Sequence, residues 1–178
     1  MNEPKVSVIL PAHNEEGALR ELVLSVHNKL AENGINGEII VVDDGSRDRT
    51  GEFAQNLTKE VSSLKVFSHR INIGKAAALE TGFKGSTGDY IVFMDADRQY
   101  NPGDIPALLK PLENGYDVVN GWRDFSEYPL RKRVPSKIYN FFARKMFDLN
   151  VHDMNCGYKA LRREVVEDLE FKPGYHRY

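Results

Sequence analysis

The chain has 178 residues, of which 41% are hydrophobic and 28% are charged, and its formal net charge is −2. This length suits one sizeable core rather than two domains, and the composition is ordinary for a soluble globular protein. The single cysteine, Cys156, excludes an internal disulfide and a thiolate metal cluster. Without a membrane-spanning apolar run or a signal-peptide pattern, the sequence predicts a cytoplasmic or cytoplasm-facing protein.

The charges are unevenly distributed along the chain. Residues 1–121 hold 12 basic and 18 acidic residues, whereas residues 122–178 hold 12 basic and 8 acidic residues. The acidic part suits a metal ion, and the basic part suits an anion such as a phosphate or an anionic membrane surface. No nucleic-acid partner is expected, because the chain as a whole is slightly acidic.

Apolar runs alternate with helical stripes along the first 122 residues. The first strand is predicted to stop at Pro11, with Asn14 placed to cap the helix that follows. This alternation is typical of parallel βαβ units, so we predict an α/β fold with a Rossmann-like, mostly parallel sheet flanked by helices. Strands are predicted at residues 5–10, 38–44, 65–69, 89–94 and 117–122, and helices at about 15–30, 50–61, 74–83 and 102–112.

The pattern changes after Trp122. Residues 123–135 lack periodicity, contain two prolines and carry Arg131-Lys-Arg133, which predicts a loop over the rim of the sheet. Residues 136–149 are predicted to form a helix with aromatic and basic side chains. This helix either packs on the sheet as part of the core or lies in a membrane interface.

The remaining residues complete one predicted domain, residues 1–178. A last strand is expected at 155–163, paired antiparallel to close the sheet, followed by a short helix at 164–169. Residues 122–178 are predicted to form the acceptor side of this domain, truncated before a C-terminal membrane-associated segment.

An apolar run from Tyr90 ends in Asp95, Asp97 and Gln99. Because side chains alternate faces along an extended strand, these three would point the same way. Mg²⁺ and Mn²⁺ prefer such oxygen ligands and complete their shells with water and substrate phosphates. The alternative for an isolated Asp-x-Asp is a solvated turn, but its place after a buried strand favours a metal site.

Other ionisable side chains follow strand ends in the same way. In parallel sheets, ligands bind beyond the carboxyl ends of the strands, so side chains at these ends would meet on one rim. The predicted rim consists of His13, Asp43, Asp44, Arg70, Asp95, Asp97 and Arg123.

Two common phosphate-binding motifs are absent. A P-loop needs glycine five residues before the Gly74-Lys75 pair and Ser or Thr after it, but His69 and Ala76 stand there. A dinucleotide fingerprint would follow the first strand, where residues 11–15 contain no glycine. The sequence therefore disfavours a kinase and an NAD-dependent oxidoreductase.

Four short motifs follow the predicted strand ends: Pro11-Ala-His-Asn-Glu15, Val42-Asp-Asp-Gly-Ser46, Asn72-x-Gly-Lys-x-Ala77 and Asp95-Ala-Asp-x-Gln99. In this order and spacing they resemble the motifs of family 2 glycosyltransferases with the GT-A fold. Within that family the chain is similar to dolichyl- or polyprenyl-phosphate mannose and glucose synthases. The resemblance covers nearly the whole chain, including Gly121-Trp-Arg123 and Asp153-x-x-Cys-Gly-x-Lys-Ala160.

The resemblance implies a metal-dependent, inverting enzyme that moves a hexose from a nucleotide-diphosphate sugar to dolichyl or polyprenyl phosphate. By the same resemblance His13, Glu15 and Asp44 would hold the nucleoside. Asp95, Asp97 and Gln99 match the motif that binds Mg²⁺ or Mn²⁺. The full implied donor-binding set is Pro11, His13, Glu15, Asp43, Asp44, Arg70, Lys75, Asp95 and Ala96.

The acceptor phosphate is already anionic near neutral pH, so it needs positioning more than deprotonation. Arginine offers a planar fork that suits phosphate oxygens. Asp97, Arg123 and Asp153 are predicted to be catalytic, with Asp153 orienting the acceptor or the sugar. The predicted acceptor-phosphate contacts, for which a solvated loop is the alternative, are Arg123, Arg131, Lys132, Arg133 and Ser136.

The motifs give conflicting indications of which sugar is transferred. Residues 72–77 favour the glucose-type members, residues 95–99 favour the mannose-type members, and we prefer mannose. A UDP-glucose-dependent polyprenyl-phosphate glucosyltransferase, a transferase to a saccharide hydroxyl and a non-catalytic nucleotide-sugar binding module remain alternatives. The predicted location is peripheral, at the cytoplasmic face of a membrane.

Overall fold

A computed structural model describes residues 5–97, 100–122, 153 and 156–171 of the chain. Within these residues, strands and helices alternate as the apolar pattern indicates. The strands are β1 (Val6–Ala12), β2 (Gly37–Asp43), β3 (Leu64–Ser68), β4 (Tyr90–Phe93), β5 (Val118–Asn120) and β6 (Lys159–Arg162). The helices are α1 (Leu19–Glu32), α2 (Thr50–Leu57), α3 (Lys75–Lys84), α4 (Ile105–Glu113) and α5 (Arg163–Glu167), with a 3-10 turn at Pro102–Asp104 before α4.

The six strands form one sheet in the order β3-β2-β1-β4-β6-β5. Strands β1 to β4 pair in parallel, and β6 pairs antiparallel with both β4 and β5. The predicted α/β fold with a mostly parallel sheet is confirmed, as is the antiparallel last strand. The carboxyl ends of β1, β2 and β4 consequently meet at one edge of the sheet.

The sheet is buried on both faces. Adjacent residues of β1 point to opposite sides, so Val8 packs in one cluster and Ile9 in the other. Burial of one such aliphatic side chain contributes about 1.5–3 kcal/mol, which explains why the strands are nearly continuous apolar runs. The Val8 cluster includes Leu19, Val23 and Val26 of α1 and Ile105 and Leu112 of α4, and the Ile9 cluster includes Ala78 and Leu79 of α3.

Two details of the first βα connection differ from the prediction. Strand β1 continues through Pro11 to Ala12, because its pairing with β4 ends at Ile9 and the missing amide of Pro11 lies beyond that ladder. Asn14 does not cap α1, which begins at Leu19. Instead Asn14 takes a left-handed backbone conformation with φ 59° and its side chain accepts a hydrogen bond from the Arg47 amide at 2.8 Å.

A buried carboxylate, Glu38, joins the strands at the amino edge of the sheet. Its Oε1 accepts hydrogen bonds from the Ser7 hydroxyl at 2.7 Å and from the Thr87 amide at 2.6 Å, and its Oε2 pairs with Lys65 at 2.6 Å. Burial acts to raise the pKa of Glu38, but the Lys65 pair and these hydrogen bonds outweigh it and lower that pKa.

Glu38→Gln is expected to lower the free energy of unfolding at pH 7 by about 1–3 kcal/mol. The folded-state pKa lies below the unfolded one, so the stabilisation is present above about pH 4.3 and is lost as pH falls through the folded pKa. Urea denaturation of both proteins at several pH values measures this. Glu60→Gln, at an exposed ion pair with Arg20, is the control and is expected to cost below about 1 kcal/mol. A pH-independent Glu38→Gln penalty would contradict the electrostatic explanation.

Candidate active site

A cavity of about 350 Å³ opens at the carboxyl edge of the sheet, where β1, β2 and β4 end. In open α/β sheets this edge is where ligands bind. The cavity is lined by Pro11, Ala12, His13, Glu15, Asp44, Asn72, Gly74, Lys75, Ala78, Asp95, Ala96 and Asp97.

Asp44, directly after β2, is held from three sides. Its amide donates to the carbonyl of Ala12 at 2.8 Å, which ties the residue to the end of β1. Its Oδ1 accepts from the Ile73 amide at 3.0 Å and from His69 Nδ1 at 2.8 Å. Its Oδ2 accepts from the Gly74 amide at 2.8 Å. The loop between β3 and α3 therefore fixes the orientation of a buried carboxylate.

These contacts also determine the charge of Asp44. Burial acts to raise the pKa of the carboxyl group, but the hydrogen bonds from His69, Ile73 and Gly74 outweigh burial and lower that pKa. The side chain of Asp44 is thus ionised at neutral pH and only accepts hydrogen bonds. His69 Nδ1 must carry the proton it shares with Asp44.

The turn after Asp44 interlocks with the β3–α3 loop. Gly45 has φ 62°, and a Cβ added there would collide with the backbone of Ile71 and Asn72. Asp43 does not line the cavity; its Oδ1 accepts from the Ser46 amide at 3.0 Å within the same turn. The two neighbouring aspartates thus point to different surroundings.

His13 is fixed beside Asp44 in the β1–α1 connection. Its Nδ1 donates to the Asp44 carbonyl at 2.8 Å, and its Nε2 accepts from the Asn14 side chain at 3.0 Å. The Glu15 amide donates to the Thr50 hydroxyl at 2.8 Å, which joins this connection to the start of α2. The ring of His13 is therefore held in place at the cavity wall.

The end of the cavity at β4, which lies two strands from β2 in the sheet order, carries opposite charges. Lys75, the first residue of α3, forms an ion pair with Asp95, and Asp97 lies exposed two residues further on. Gly157 packs against the pair, because a Cβ added there would collide with Asp95 Oδ2 and lie 3.1 Å from Lys75 Nζ. Of the residues that the structure describes, two carboxylates and one ammonium group lie at this end of the cavity.

These residues fit a hard divalent cation. Asp95 and Asp97 provide carboxylate oxygens, and the phosphates of a substrate and water can complete the coordination. Over the part of the chain that the structure describes, no three His, Cys, Asp or Glu side chains converge as a metal site. A cation that binds together with a diphosphate needs few protein ligands.

The structure brings most of the predicted donor residues together. Arg70 is exposed and Asp153 is buried, and neither lines the cavity. The carbonyl of Asp153 accepts from the Asn120 side chain and from the Cys156 amide. The cavity contains Pro11, His13, Glu15, Asp44, Lys75, Asp95, Ala96 and Asp97. The predicted Gln99, Arg123, Arg131, Lys132, Arg133 and Ser136, together with the predicted helix 136–149, lie outside the described residues.

Sequence reasoning missed residues that support the site without lining it. His69 follows β3, so the rule that collected the other rim residues could have found it. The hydroxyl of Tyr100 accepts from the Gly157 amide at 2.9 Å, and its ring lies 5.2 Å from that of Tyr158. Burial raises the pKa of Tyr100, so its hydroxyl stays protonated. No strand-end pattern marks Tyr100 or Gly157.

Lys75→Met is expected to tighten Mn²⁺ binding in the absence of nucleotide by about threefold to tenfold, since the ammonium group competes for the Asp95 carboxylate. Electron paramagnetic resonance titration of free Mn²⁺ measures the affinity. Lys84→Met, on the same helix but paired with Glu80, is the matched control and should leave the affinity unchanged. Unchanged or weaker Mn²⁺ binding to Lys75→Met would contradict the competition.

The sequence of the chain is similar to those of two kinds of lipid-phosphate sugar transferase. It is 38% identical over 164 residues to the undecaprenyl-phosphate 4-deoxy-4-formamido-L-arabinose transferase of Pseudomonas aeruginosa strain LESB58, covering 91% of this chain and 48% of that protein. It is 39% identical over 178 residues to the dolichol-phosphate mannosyltransferase of Pyrococcus furiosus, covering 95% and 49%. The chain thus spans about half the length of the curated relatives it matches.

The fold of the chain is similar to that of a solved glycosyltransferase structure. The glucosyl-3-phosphoglycerate synthase of Mycobacterium tuberculosis, crystallised with Mn²⁺ and UDP-glucose, superposes with a TM-score of 0.75 at 27% identity. The superposition covers 97% of this chain and 61% of that one, and confirms the GT-A fold implied by the motifs. No helix among the described residues is long and apolar enough to span a bilayer.

The family itself is established by a match to almost the entire sequence. The model of the family described as "Glycosyl transferase family 2" matches residues 7–170. This interval includes both ends of the cavity and the loops that hold them. The chain belongs to glycosyl transferase family 2.

Proposed function

We propose that the protein is a cation-dependent, inverting glycosyltransferase that moves a sugar from a nucleoside-diphosphate donor to a polyprenyl phosphate. The observation that carries the proposal is the polarity of the cavity, with the buried anion Asp44 at one end and Lys75, Asp95 and Asp97 at the other. A nucleoside with its diphosphate has the matching polarity. Support for the acceptor comes from the relatives, which are named as polyprenyl-phosphate sugar transferases.

The residues of the cavity have separate roles in this reaction. Lys75 attracts the diphosphate, and Asp95 and Asp97 would hold a divalent cation beside it. When bound, that Mg²⁺ or Mn²⁺ neutralises the negative charge that develops on the leaving nucleoside diphosphate. Asp44 and His13 bind the nucleoside and orient it, which places the sugar bond toward the β4 end of the cavity.

The acceptor side of the proposal rests on charge and chemistry. A phosphate monoester is largely a dianion above its second pKa of about 6 and attacks without a general base. Positioning is therefore the main requirement, for which we propose Ser136 and the basic residues of the 122–178 part, which carries 12 basic against 8 acidic residues. The set comprises Arg123, Arg131, Lys132, Arg133 and Ser136.

A polyprenyl acceptor would place the reaction at a membrane, and we propose that the enzyme acts as a peripheral protein at the cytoplasmic face. Sedimentation with anionic liposomes, with and without polyprenyl phosphate, tests this part separately. Co-sedimentation is expected in the presence of the lipid acceptor. A protein that stays in the supernatant under both conditions would contradict membrane association.

The reaction itself is tested with the purified chain, polyprenyl phosphate in detergent micelles and radiolabelled GDP-mannose or UDP-glucose. We expect the label to enter the organic phase only when Mg²⁺ or Mn²⁺ is present. Label transferred to a free saccharide would favour a hydroxyl acceptor instead. Tight cation-dependent nucleotide binding with neither product would favour a binding module without turnover.

A further inference from the structure

Asp44 is the most deeply buried of the acidic residues that line the cavity, with 4% of its surface exposed. An ionised carboxylate has about four acceptor positions, two on each oxygen. The described contacts occupy three of them: His69 and Ile73 on Oδ1, and Gly74 on Oδ2. Among the described residues, no donor occupies the fourth position, which is on Oδ2.

A nucleoside is the part of the donor that would reach this position. Phosphate groups are drawn to Lys75 at the other end of the cavity, and the anion Asp44 repels them. Ribose hydroxyls and nucleobase N–H groups can both donate to a carboxylate, and we assign Asp44 to the nucleobase because the base is the part of the donor farthest from the diphosphate at Lys75. This step rests on the proposed function, in which the cavity holds a nucleoside-diphosphate donor.

Bases differ in the donors that they present on one edge. Uracil has a single N–H between two carbonyl groups, whereas guanine has its N1–H and its amino group side by side. A side-by-side pair of donors requires both oxygens of a carboxylate to be open at once. A hydrogen-bond donor left without a partner in a buried site weakens binding, on the order of tenfold.

We propose that the single open acceptor position of Asp44 makes the site selective for uridine diphosphate donors over guanosine diphosphate donors, with His69 as the positioning residue that closes the second oxygen. His69 does not contact the nucleoside diphosphate. It acts by occupying an acceptor position on the Asp44 carboxylate. The inference therefore favours the UDP-linked alternative over the GDP-mannose type that residues 95–99 suggest.

The arrangement around Asp44 resists rearrangement. The second ring nitrogen of His69, Nε2, is hydrogen bonded to the Thr81 hydroxyl at 2.9 Å, and the His69 amide donates to the carbonyl of Asp43 at 2.9 Å. Ile73 and Gly74 belong to a loop that packs directly against Gly45. Opening a second acceptor position on Asp44 requires the loss of one of these hydrogen bonds, which are strong because the acceptor is charged.

Isothermal titration of the complete chain with UDP and with GDP, both in the presence of Mn²⁺, tests the inference. We expect UDP to bind at least about tenfold more tightly, the equivalent of one unpaired donor. Equal affinity, tighter GDP binding or binding of neither nucleotide would overturn the inference. The wild-type ratio decides the question without any variant.

Two substitutions at one position test the role of His69. His69→Ala opens a position on Oδ1, so the preference for UDP is expected to fall by about threefold to tenfold. His69→Asn keeps an N–H near the place of Nδ1 and is expected to retain the preference. Thermal unfolding of both variants reports their folding, and an unchanged ratio in a folded His69→Ala would remove His69 from the account.

The outcome is separable from that of the proposed function. Preference for UDP without any lipid-linked product would overturn the proposed transfer and leave the base selectivity standing. Preference for GDP together with lipid-linked product would overturn the selectivity and leave the transfer standing.

Discussion

Asp97→Ala is expected to abolish sugar transfer, with a loss of at least about a hundredfold to a thousandfold at saturating donor. Asp97 and Asp95 are the carboxylates among the described residues that line the Lys75 end of the cavity, and a cation held there would lose one of these two ligands. The charge on the leaving diphosphate then develops without compensation. The initial rate of label transfer to polyprenyl phosphate, measured over a range of Mn²⁺ concentrations, gives the size of the effect.

Asp89→Ala is the matched control for this experiment. Asp89 is an exposed aspartate at the amino end of β4, whereas Asp97 follows its carboxyl end. The control should keep the wild-type rate and the wild-type cation requirement. If Asp97→Ala also turns over at the wild-type rate with excess Mg²⁺ or Mn²⁺, Asp97 has no role in holding the cation.

Gly45→Ala is expected to cost about 2–5 kcal/mol of the free energy of unfolding. Two effects combine: the residue has φ 62°, which L side chains rarely adopt, and its new Cβ would collide with the backbone of Ile71 and Asn72. That backbone leads into the amides that hold the Asp44 carboxylate. Nucleotide affinity should therefore fall together with stability, and urea denaturation and titration calorimetry measure the two losses.

Gly34→Ala separates the two effects. Gly34 also has φ 62°, but a Cβ added there meets nothing within 4 Å. Its expected cost is the backbone strain alone, about 1–2 kcal/mol, without any loss of nucleotide affinity. An equal cost at Gly34 and Gly45 would show that the close approach of the two loops has no energetic importance.

The alternation of apolar strands and amphipathic helices was sufficient to predict the sheet and the edge where the site lies. The reason is that burial on both faces requires a continuous apolar strand, and a polar side chain at its end then falls on the rim. The rule places His13, Asp44, Asp95 and Asp97 on that rim, and all four line the cavity. The carboxyl-end rule also includes His69, but only the structure shows its hydrogen bond to Asp44.

The positions of residues in the sequence do not predict which of two neighbours lines the cavity. Asp43 and Asp44 are adjacent and identical in type, yet they serve different loops because successive residues of a strand point to opposite faces. The partners of Asp44 lie 25 to 30 residues away in the chain. Hydrogen bonds over such separations depend on how two loops meet, which no local pattern encodes.

Local chemistry was misjudged in the first βα connection. Pro11 was expected to stop β1, but the missing amide matters only where a neighbouring strand would use it. Asn14 was expected to cap α1, since Asn is a common cap. Its second common use, the left-handed conformation at a sharp turn, is the one realised here, and it places His13 at the cavity wall.

The central claim is that this cavity binds a nucleoside diphosphate together with a divalent cation, and a crystal structure with UDP and Mn²⁺ tests it most directly. Anomalous scattering locates the manganese independently of the nucleotide. The account predicts the base at Asp44, the diphosphate beside Lys75 and an anomalous peak beside Asp95 and Asp97. A nucleotide bound outside the cavity, or manganese bound away from both carboxylates, would contradict it.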